Sequence, residues 1–250
     1  MRPAFIVLLA VLGFASGARS QTADELVGKN IEARGGVDKI RALKTRRMTG
    51  TVVFPGGFKA VAAEERTRPN LVRQTFTLQG MTAVQVYDGS VGWQIQPFGG
   101  RKDPEFMGED DLRDLTIDAD FDGPLIDYKE KGNTVEYLGH DTVDGDDALR
   151  LKITLKNGDI IYYYLDPDTS LVIRQENQEF IRGAVKETAS EMGSYKAVGG
   201  VMFPFSVASG PKSDPTSWQT ITIDKIEVGV PLEPSEFAVP ASLKKDASRK

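Results

Sequence analysis

Apolar and polar residues alternate strictly between residues 149 and 156. The apolar members of this stretch are Leu149, Leu151, Ile153 and Leu155. A period of two is typical of a β-strand that has one buried face and one solvated face. Asn157-Gly158 follows at once, and this dipeptide is the strongest short-range signal of a β-hairpin. The pattern therefore predicts a hairpin whose four apolar side chains face the interior of the protein.

Similar strand-like segments fill most of the chain. They are short, and turns rich in glycine, proline, asparagine and aspartate separate them. The predicted strands are residues 45–54, 58–66, 71–79, 81–87, 91–95, 134–140, 148–156, 160–165, 171–181, 185–195, 202–207 and 217–228. This spacing predicts a mainly β protein with one curved antiparallel sheet of eleven or twelve strands.

Two stretches have a helical period instead. Residues 22–43 place apolar side chains at helical spacing, and Gly35-Gly36 divides them into two short helices. Residues 109–121 carry Leu112 and Leu115 three positions apart, and they begin with acidic residues that suit a helix N-terminus. Segments rich in glycine and proline flank this second stretch. We therefore expect it to form a hinged cover over part of the sheet.

The predicted sheet has more apolar surface than these helices can cover. Val52 and Phe54 share one face of their strand, and Val72, Phe76 and Leu78 share one face of theirs. A second sheet could close over this face, or the face could line a hydrophobic cavity. The residue pattern leaves both arrangements open.

Composition and charge exclude several classes of function. The net charge is −5 at pH 7 and no basic stripe occurs, which argues against nucleic-acid binding. The chain has one histidine, His140, and no cysteine, so zinc sites, thiol nucleophiles and most serine–histidine triads are excluded. His140 and Asp141 point to opposite faces of a predicted strand, which favours a surface histidine. We predict no enzymatic activity, no metal ion and no cofactor.

The first twenty residues have the features of a secretory signal peptide. Arg2 supplies a short positive segment, residues 5–14 are apolar, and small residues follow. The apolar run is too short for a stable membrane-spanning helix. Cleavage after Ala18 or after Ser20 fits the preference for small residues, and we favour the second. The expected organisation is a signal peptide over 1–20, one domain over 21–240 and a polar tail over 241–250.

Three longer stretches carry a resemblance to a known family. They are ARGGVDKIRALKTRRMTG at 33–50, MTAVQVYDGSVGWQIQPFGGRKDPEFM at 81–107 and YKAVGGVMFPFSVASGPK at 195–212. Together they resemble exported proteins of the outer-membrane lipoprotein-sorting type, the LolA/LolB-like superfamily. The resemblance implies a single unclosed antiparallel β-barrel with helices covering a concave hydrophobic face. It also implies a periplasmic carrier that shields acyl chains in this concave groove.

Ten apolar residues are the predicted contacts for a bound acyl chain. They are Val52, Phe54, Val72, Phe76, Leu78, Trp93, Leu112, Leu115, Leu151 and Ile153. The expected partners are lipid or lipoprotein acyl chains and a membrane-bound donor or acceptor protein, with the carrier acting as a monomer. The alternative is an envelope protein with a regulatory, sensory or structural role, which would bind a partner in the same groove.

Export should remove the first twenty residues. We predict that the exported protein begins at Gln21, because Ala18 and Ser20 then occupy the two positions before the cleavage point that require small side chains. Intact-mass spectrometry of the exported protein checks this prediction. A mass that still includes Met1 would contradict it.

Overall fold

The strands follow one another along most of the chain, with helices at three places. The computed structural model describes residues 21–181 and 183–247, with side chains as far as Lys244, so the predicted signal peptide lies outside the described residues. The strands are β1 Thr45–Val53, β2 Lys59–Thr67, β3 Leu71–Leu78, β4 Met81–Tyr87, β5 Gly92–Gln96, β6 Arg101–Phe106, β7 Thr134–Val143, β8 Asp146–Thr154, β9 Ile160–Leu165, β10 Val172–Ile181, β11 Ala184–Gly193, β12 Lys196–Val198, β13 Val201–Phe203, β14 Ser206–Pro211 and β15 Gln219–Val228.

The described residues also form four α-helices. They are α1 Ala23–Ala33, α2 Val37–Ala42, α3 Glu109–Ala119 and α4 Ala241–Ala247. Thr22 and Glu25 cap the start of α1 with reciprocal hydrogen bonds, and Gly35 and Gly36 separate α1 from α2 by adopting positive φ angles of 120° and 88°. None of the described helices is long and apolar enough to cross a membrane.

Thirteen strands of the described chain form a single antiparallel sheet. Its order is β6-β5-β4-β3-β2-β1-β15-β14-β11-β10-β9-β8-β7, so β6 and β7 are edge strands and do not pair with each other. The sheet is therefore an unclosed barrel, which confirms the predicted fold class. Strands β12 and β13 form a separate hairpin.

The structure differs from the predicted strands in three places. Strand β6 occupies a segment that we expected to be an irregular break, and Pro104 lies within it. Residues 202–207 were expected to form one strand, but they divide between β13 and β14 because the chain leaves the small hairpin to join the main sheet. The segment expected to be a polar tail, 241–250, begins with α4, whose Leu243 is buried.

Because neighbouring strands are antiparallel, the turns of the sheet gather at two ends. We call one of them the open end, where the chain leaves β1, β3, β5, β8, β10 and β14. Toward the opposite end, α2 and the β12–β13 hairpin pack on β1 and β15, and Phe121 and Ile126 complete this cluster. Apolar packing thus fills the concave face at one end of the sheet and leaves the other end accessible.

The alternating stretch that begins at Leu149 forms β8 and lies beneath α1. Leu151 and Ile153 are fully buried, and Leu149 is 4% exposed, while Leu155 is half-buried. Leu26 and Val27 of α1 belong to the same cluster. On the opposite face of β8, Lys152 forms an ion pair with Glu136. The predicted orientation of this strand is confirmed.

Candidate functional site

The uncovered part of the concave face forms a groove that reaches the open end. A cavity of about 430 Å³ lies over β1 to β5, and a second of about 610 Å³ lies over β10, β11 and β14. Gln219 of β15 lines both, so the two cavities adjoin. Each volume is within the range typical of sites for small molecules. We refer to this continuous space as the groove.

The β1–β5 side of the groove has an apolar floor. Side chains that alternate along β1, β2, β3 and β15 provide it: Met48, Val52, Ala62, Phe76, Ile221 and Ile223. At the open end, the rings of Phe54 and Phe76 lie 5.5 Å apart, and those of Phe76 and Phe98 lie 5.8 Å apart, both edge to face. Such aromatic pairs are stabilising beyond their apolar burial. They place a row of aromatic rings at the entrance.

The β10–β14 side of the groove is polar, so only part of the concave face is hydrophobic. The residues that face it from the sheet are Gln175, Asn177, Glu179, Lys186, Thr188, Ser190 and Ser209. Gln175 donates to Asn177 at 2.8 Å. These amides and hydroxyls can both donate and accept hydrogen bonds. The groove is therefore amphipathic, with an apolar side and a hydrogen-bonding side.

Helix α3 crosses the concave face and contacts both sides of the sheet. Leu115 packs against Val72 of β3, whereas the adjacent Asp114 accepts a hydrogen bond from Lys186 of β11 at 2.9 Å. Five strand-to-strand steps separate β3 from β11, or about 24 Å in a flat sheet. Adjacent residues are only about 3.8 Å apart along the chain. The sheet must therefore curl until both sides reach α3.

A second ionic contact holds α3 on the same side. Arg113 forms a two-pronged ion pair with Asp159, which lies in the turn after β8 and is 2% exposed. Such a fork of hydrogen bonds fixes orientation as well as distance. The predicted cover over residues 109–121 is thus a helix anchored by apolar contacts at β3 and by ion pairs at the far side.

Glu179 lies beside the contact between Asp114 and Lys186 and has an unusual acidity. Its carboxylate accepts a hydrogen bond from Lys186 at 3.1 Å, so Lys186 bridges Glu179 and Asp114. Burial and the nearby Asp114 carboxylate raise the pKa of Glu179 to about 7, against the opposing effect of the Lys186 ammonium. The anchoring of α3 therefore includes a carboxyl group that titrates near neutral pH.

A buried ionic cluster lies on the apolar side of the groove, toward the end of the sheet opposite the open end. Glu64 pairs with Arg46 at 2.5 Å and with Arg66 at 2.7 Å, and Gln74 donates to both Glu64 and Asp118. Burial alone would raise the pKa of Glu64, but the two guanidinium groups outweigh it and lower the pKa to about 2. Burial raises the pKa of Asp118, which Arg66 opposes. The groove thus contains fixed charges beside its apolar floor.

The ten predicted contact residues occupy five different environments, one of which holds Trp93 alone. Val52, Phe54 and Phe76 line the groove. Leu112 and Leu115 of α3 pack together with Val72 of β3. Leu151 and Ile153 are sealed beneath α1. Leu78 is half-buried at the open end of β3.

Trp93, the tenth of these residues, lies on the face of the sheet opposite the groove. It pairs with Val86 and packs with Phe237 and Leu243 on the convex face, because the register of β4 and β5 directs Gln85 and Gln94 into the concave face instead. A sequence pattern gives the period of a strand but not which of its two faces is inward.

Sequence reasoning also missed the polar residues of the groove. Arg46, Glu64 and Gln74 stand two positions from Met48, Ala62 and Phe76, so the period of two already placed them on the same face. The apolar members of the strands therefore describe only part of this face. His140, in contrast, is exposed on β7 with Nδ1 3.0 Å from Asp147, as expected of a surface histidine.

The acidity of Glu179 predicts a pH dependence of stability. Its pKa of about 7 in the folded protein exceeds the ordinary value of 4.5. The stability that protonation of Glu179 contributes is therefore fully present below about pH 4.5 and is lost as the pH rises through about 7. Replacing Glu179 by Gln should remove this loss of stability. We expect the free energy of unfolding of the wild type, relative to Glu179→Gln, to fall by more than about 1 kcal/mol between about pH 5 and about pH 8.

Urea denaturation at the two pH values measures this difference. Glu130→Gln is the matched control, since it makes the same chemical change at an exposed position. Parallel pH profiles for the wild type and Glu179→Gln would contradict the prediction.

Comparison with known proteins adds information on the fold. No protein-family model matches the sequence, and no curated protein sequence matches it. Solved structures do match. A DUF1329 family protein from Desulfovibrio piger aligns with a TM-score of 0.59 and 11% identity, over 86% of this chain and 97% of that one.

Two further structures give nearly the same agreement. A putative outer membrane lipoprotein-sorting protein domain from Vibrio parahaemolyticus aligns with a TM-score of 0.59 and 11% identity, over 91% of this chain and 100% of that one. A LolA superfamily protein from Nitrosomonas europaea aligns with a TM-score of 0.58 and 11% identity, over 88% of this chain and 99% of that one. The protein therefore has a LolA-like fold, as the resemblance in the sequence implied.

Proposed function

We propose that the protein is a non-enzymatic periplasmic carrier that holds an amphipathic lipid, or the acylated end of a lipoprotein, in the groove. The acyl chain would lie on the apolar floor formed by Val52, Phe76 and Ile221. The head group would lie against the amides and hydroxyls near Asn177 and Thr188. The single observation that carries this proposal is the division of one groove into an apolar side and a hydrogen-bonding side.

Apolar burial would supply most of the affinity. Each methylene group removed from water contributes about 0.8 kcal/mol, so a chain of several methylenes on a dry floor is held strongly. The polar side would contribute less, because hydrogen bonds to a head group replace hydrogen bonds to water. It would instead orient the ligand, with the head group directed away from Phe76.

Helix α3 would control access to the groove. Its ionic contacts through Asp114 and Arg113 lie on the polar side, while Leu115 anchors it on the apolar side. Release of the ionic contacts alone would let the helix pivot about Leu115 and widen the groove. Covers of this kind admit and release ligands in other proteins.

The family resemblance and the comparisons support a role in lipid transport. The Vibrio parahaemolyticus domain with the same fold is named a putative outer membrane lipoprotein-sorting protein domain. A carrier of this kind needs a membrane-bound donor or acceptor, and the expected signal peptide would deliver the protein to the periplasm where both are accessible.

A second candidate function is an envelope sensor or regulator that binds a polypeptide in the groove. The observation that favours it is the row of amide and hydroxyl side chains that includes Gln175, Asn177 and Ser190. Such side chains can pair with the backbone of an extended peptide as readily as with a lipid head group. This candidate predicts no affinity for a free acyl chain.

Filling the apolar floor should separate the two candidates. Ala62 is half-buried, lies beside Phe76 on the floor and carries the smallest side chain there. We predict that Ala62→Phe lowers the affinity for a fluorescent fatty acid about tenfold or more, because the added ring occupies the space of several methylene groups. A fluorescence titration measures the effect.

Ala197→Phe is the matched control. Ala197 is exposed on the β12–β13 hairpin, away from the groove, so the same substitution there should leave the affinity unchanged. If the wild type binds no acyl ligand, the carrier proposal fails and the sensor candidate remains. Equal affinities for Ala62→Phe and the wild type would remove the groove as the acyl site.

A further inference from the structure

We propose that the open end of the sheet docks on the surface of an anionic lipid bilayer. Large apolar side chains that stay exposed are concentrated there. Nine large apolar side chains are exposed among the described residues, and six of these nine lie at the open end: Phe58, Val61, Met81, Phe98, Phe180 and Val185. Phe58 is 62% exposed and Phe180 is 65% exposed. Apolar side chains clustered in this way mark an interaction surface.

These side chains lie in or near four different turns at the open end. Phe58 follows the turn after β1, Met81 follows the turn after β3, and Phe98 lies in the turn after β5. Phe180 and Val185 pair across the far hairpin of β10 and β11. The apolar groups therefore project along one margin of the curved sheet and could enter a planar interface together.

Positive charge accompanies the apolar groups in four of the six open-end turns. The turn segments 54–59, 96–103, 155–159 and 211–218 contain five cationic residues and three aspartates, although the whole chain has a net charge of −5: Lys59, Arg101, Lys102, Lys156 and Lys212 against Asp103, Asp159 and Asp214. Arg101 pairs with Glu105, and Lys212 pairs with Glu176 and Glu187. Asp159 is buried in its pair with Arg113. Within the described residues, Lys59, Lys102 and Lys156 are exposed and form no ion pair.

Lysine beside exposed aromatic residues fits a lipid surface better than a protein partner. Lysine is depleted at protein–protein interfaces, whose cores are uncharged. Anionic head groups instead attract lysine, while phenylalanine enters the boundary between head groups and acyl chains. Lys59 directly follows Phe58, and Arg101 and Lys102 follow Phe98 within four residues. This neighbourhood of charge and aromatic rings is what selects a bilayer as the occupant.

The docking surface is continuous with the groove. Phe98 belongs to the exposed set and also lines the apolar cavity, where its ring meets Phe76. A protein seated on a bilayer by its open end would therefore present the groove directly to the lipid. This inference deepens the proposed carrier function, since it identifies the surface through which ligand would pass, but docking itself can be measured without any ligand in the groove.

Vesicle co-sedimentation tests the inference with the mature chain. The vesicles contain phosphatidylcholine alone or an equal mixture of phosphatidylcholine and phosphatidylglycerol. We expect the wild type to bind the mixed vesicles at least about tenfold more tightly, because each lysine near an anionic surface strengthens binding by about fivefold. No binding of the wild type to either vesicle would overturn the inference and would favour a protein partner for this surface.

Two variants then separate the apolar and charged contributions. Phe58→Ser combined with Met81→Ser removes two exposed side chains that do not line the groove, and should weaken binding to mixed vesicles by about tenfold or more. Lys59→Glu combined with Lys102→Glu should abolish the preference for anionic vesicles. Vesicle binding equal to that of the wild type in both variants would overturn the inference.

Matched controls lie away from the open end. Phe106→Ser removes a phenylalanine that is 46% exposed on β6, and Lys29→Glu combined with Lys44→Glu makes the same change in net charge at the exposed surface of the opposite side. Neither should alter vesicle binding by more than about twofold. A control that weakens binding as much as the open-end variants would also overturn the inference.

Failure of the docking inference can be distinguished from failure of the carrier proposal. Ala62→Phe should lose fatty-acid binding and keep vesicle binding, whereas the Phe58→Ser and Met81→Ser variant should keep fatty-acid binding and lose vesicle binding. If no fatty acid binds but vesicle docking behaves as described, the carrier proposal fails alone. If fatty acid binds but vesicles do not, the docking inference fails alone.

Discussion

The contacts of α3 with two distant parts of the sheet are possible only if the sheet is strongly curved. Leu115 and Asp114 are adjacent in the chain, yet one packs on β3 and the other pairs with β11. A flat sheet would hold these strands about 24 Å apart, so both contacts can form only because the sheet is curved around the groove. The two attachments differ in strength. Burial of a leucine contributes about 1.5–3 kcal/mol, whereas an exposed ion pair such as that of Asp114 with Lys186 contributes about 0–1 kcal/mol.

The edges of the sheet explain why the barrel stays open. Strand β6 carries Pro104, which cannot donate a backbone hydrogen bond and is tolerated on an edge strand. Strand β7 has an irregular register with β8 near Gly139, whose φ angle is 97°. Bulges and prolines make an edge a poor template for further pairing. The two edges are thus unsuited to pair with each other, and the concave face remains accessible from the open end.

The sequence predicted those parts of the fold that depend on local pattern. The alternation from Leu149 to Leu155, the Asn157-Gly158 turn and the helical period of α3 all describe interactions within a few residues, and all three are confirmed. Strand β6 escaped prediction because its first residues are charged and it contains a proline. Its pairing with β5 is a tertiary interaction that supplies what the local pattern lacks.

The groove was harder to predict than the fold, for a physical reason. Which apolar residues stay accessible depends on where the helices come to rest, and helix position is set by long-range packing. Leu151 and Val52 have the same strand pattern, but α1 seals the first and the groove exposes the floor around the second. The period of two predicts that Glu64 lies on the groove face of its strand. It does not predict the contacts of Glu64 with Arg46 and Gln74, which depend on the pairing of neighbouring strands.

The buried charges of the groove are hard to explain by stability alone. Replacing a buried ion pair by apolar groups of similar size is often neutral or stabilising, so a protein that needed only a firm core would gain little from Glu64 and its two arginines. The same holds for Glu179. This residue is 4% exposed and its carboxyl group is only partly protonated near neutral pH, although protonation stabilises the fold. Both carboxylates face the groove, not the sealed clusters beneath α1 and α2. A fixed polar framework beside an apolar floor instead suits a ligand that is itself part apolar and part polar, because each region of the groove then has a counterpart in the ligand.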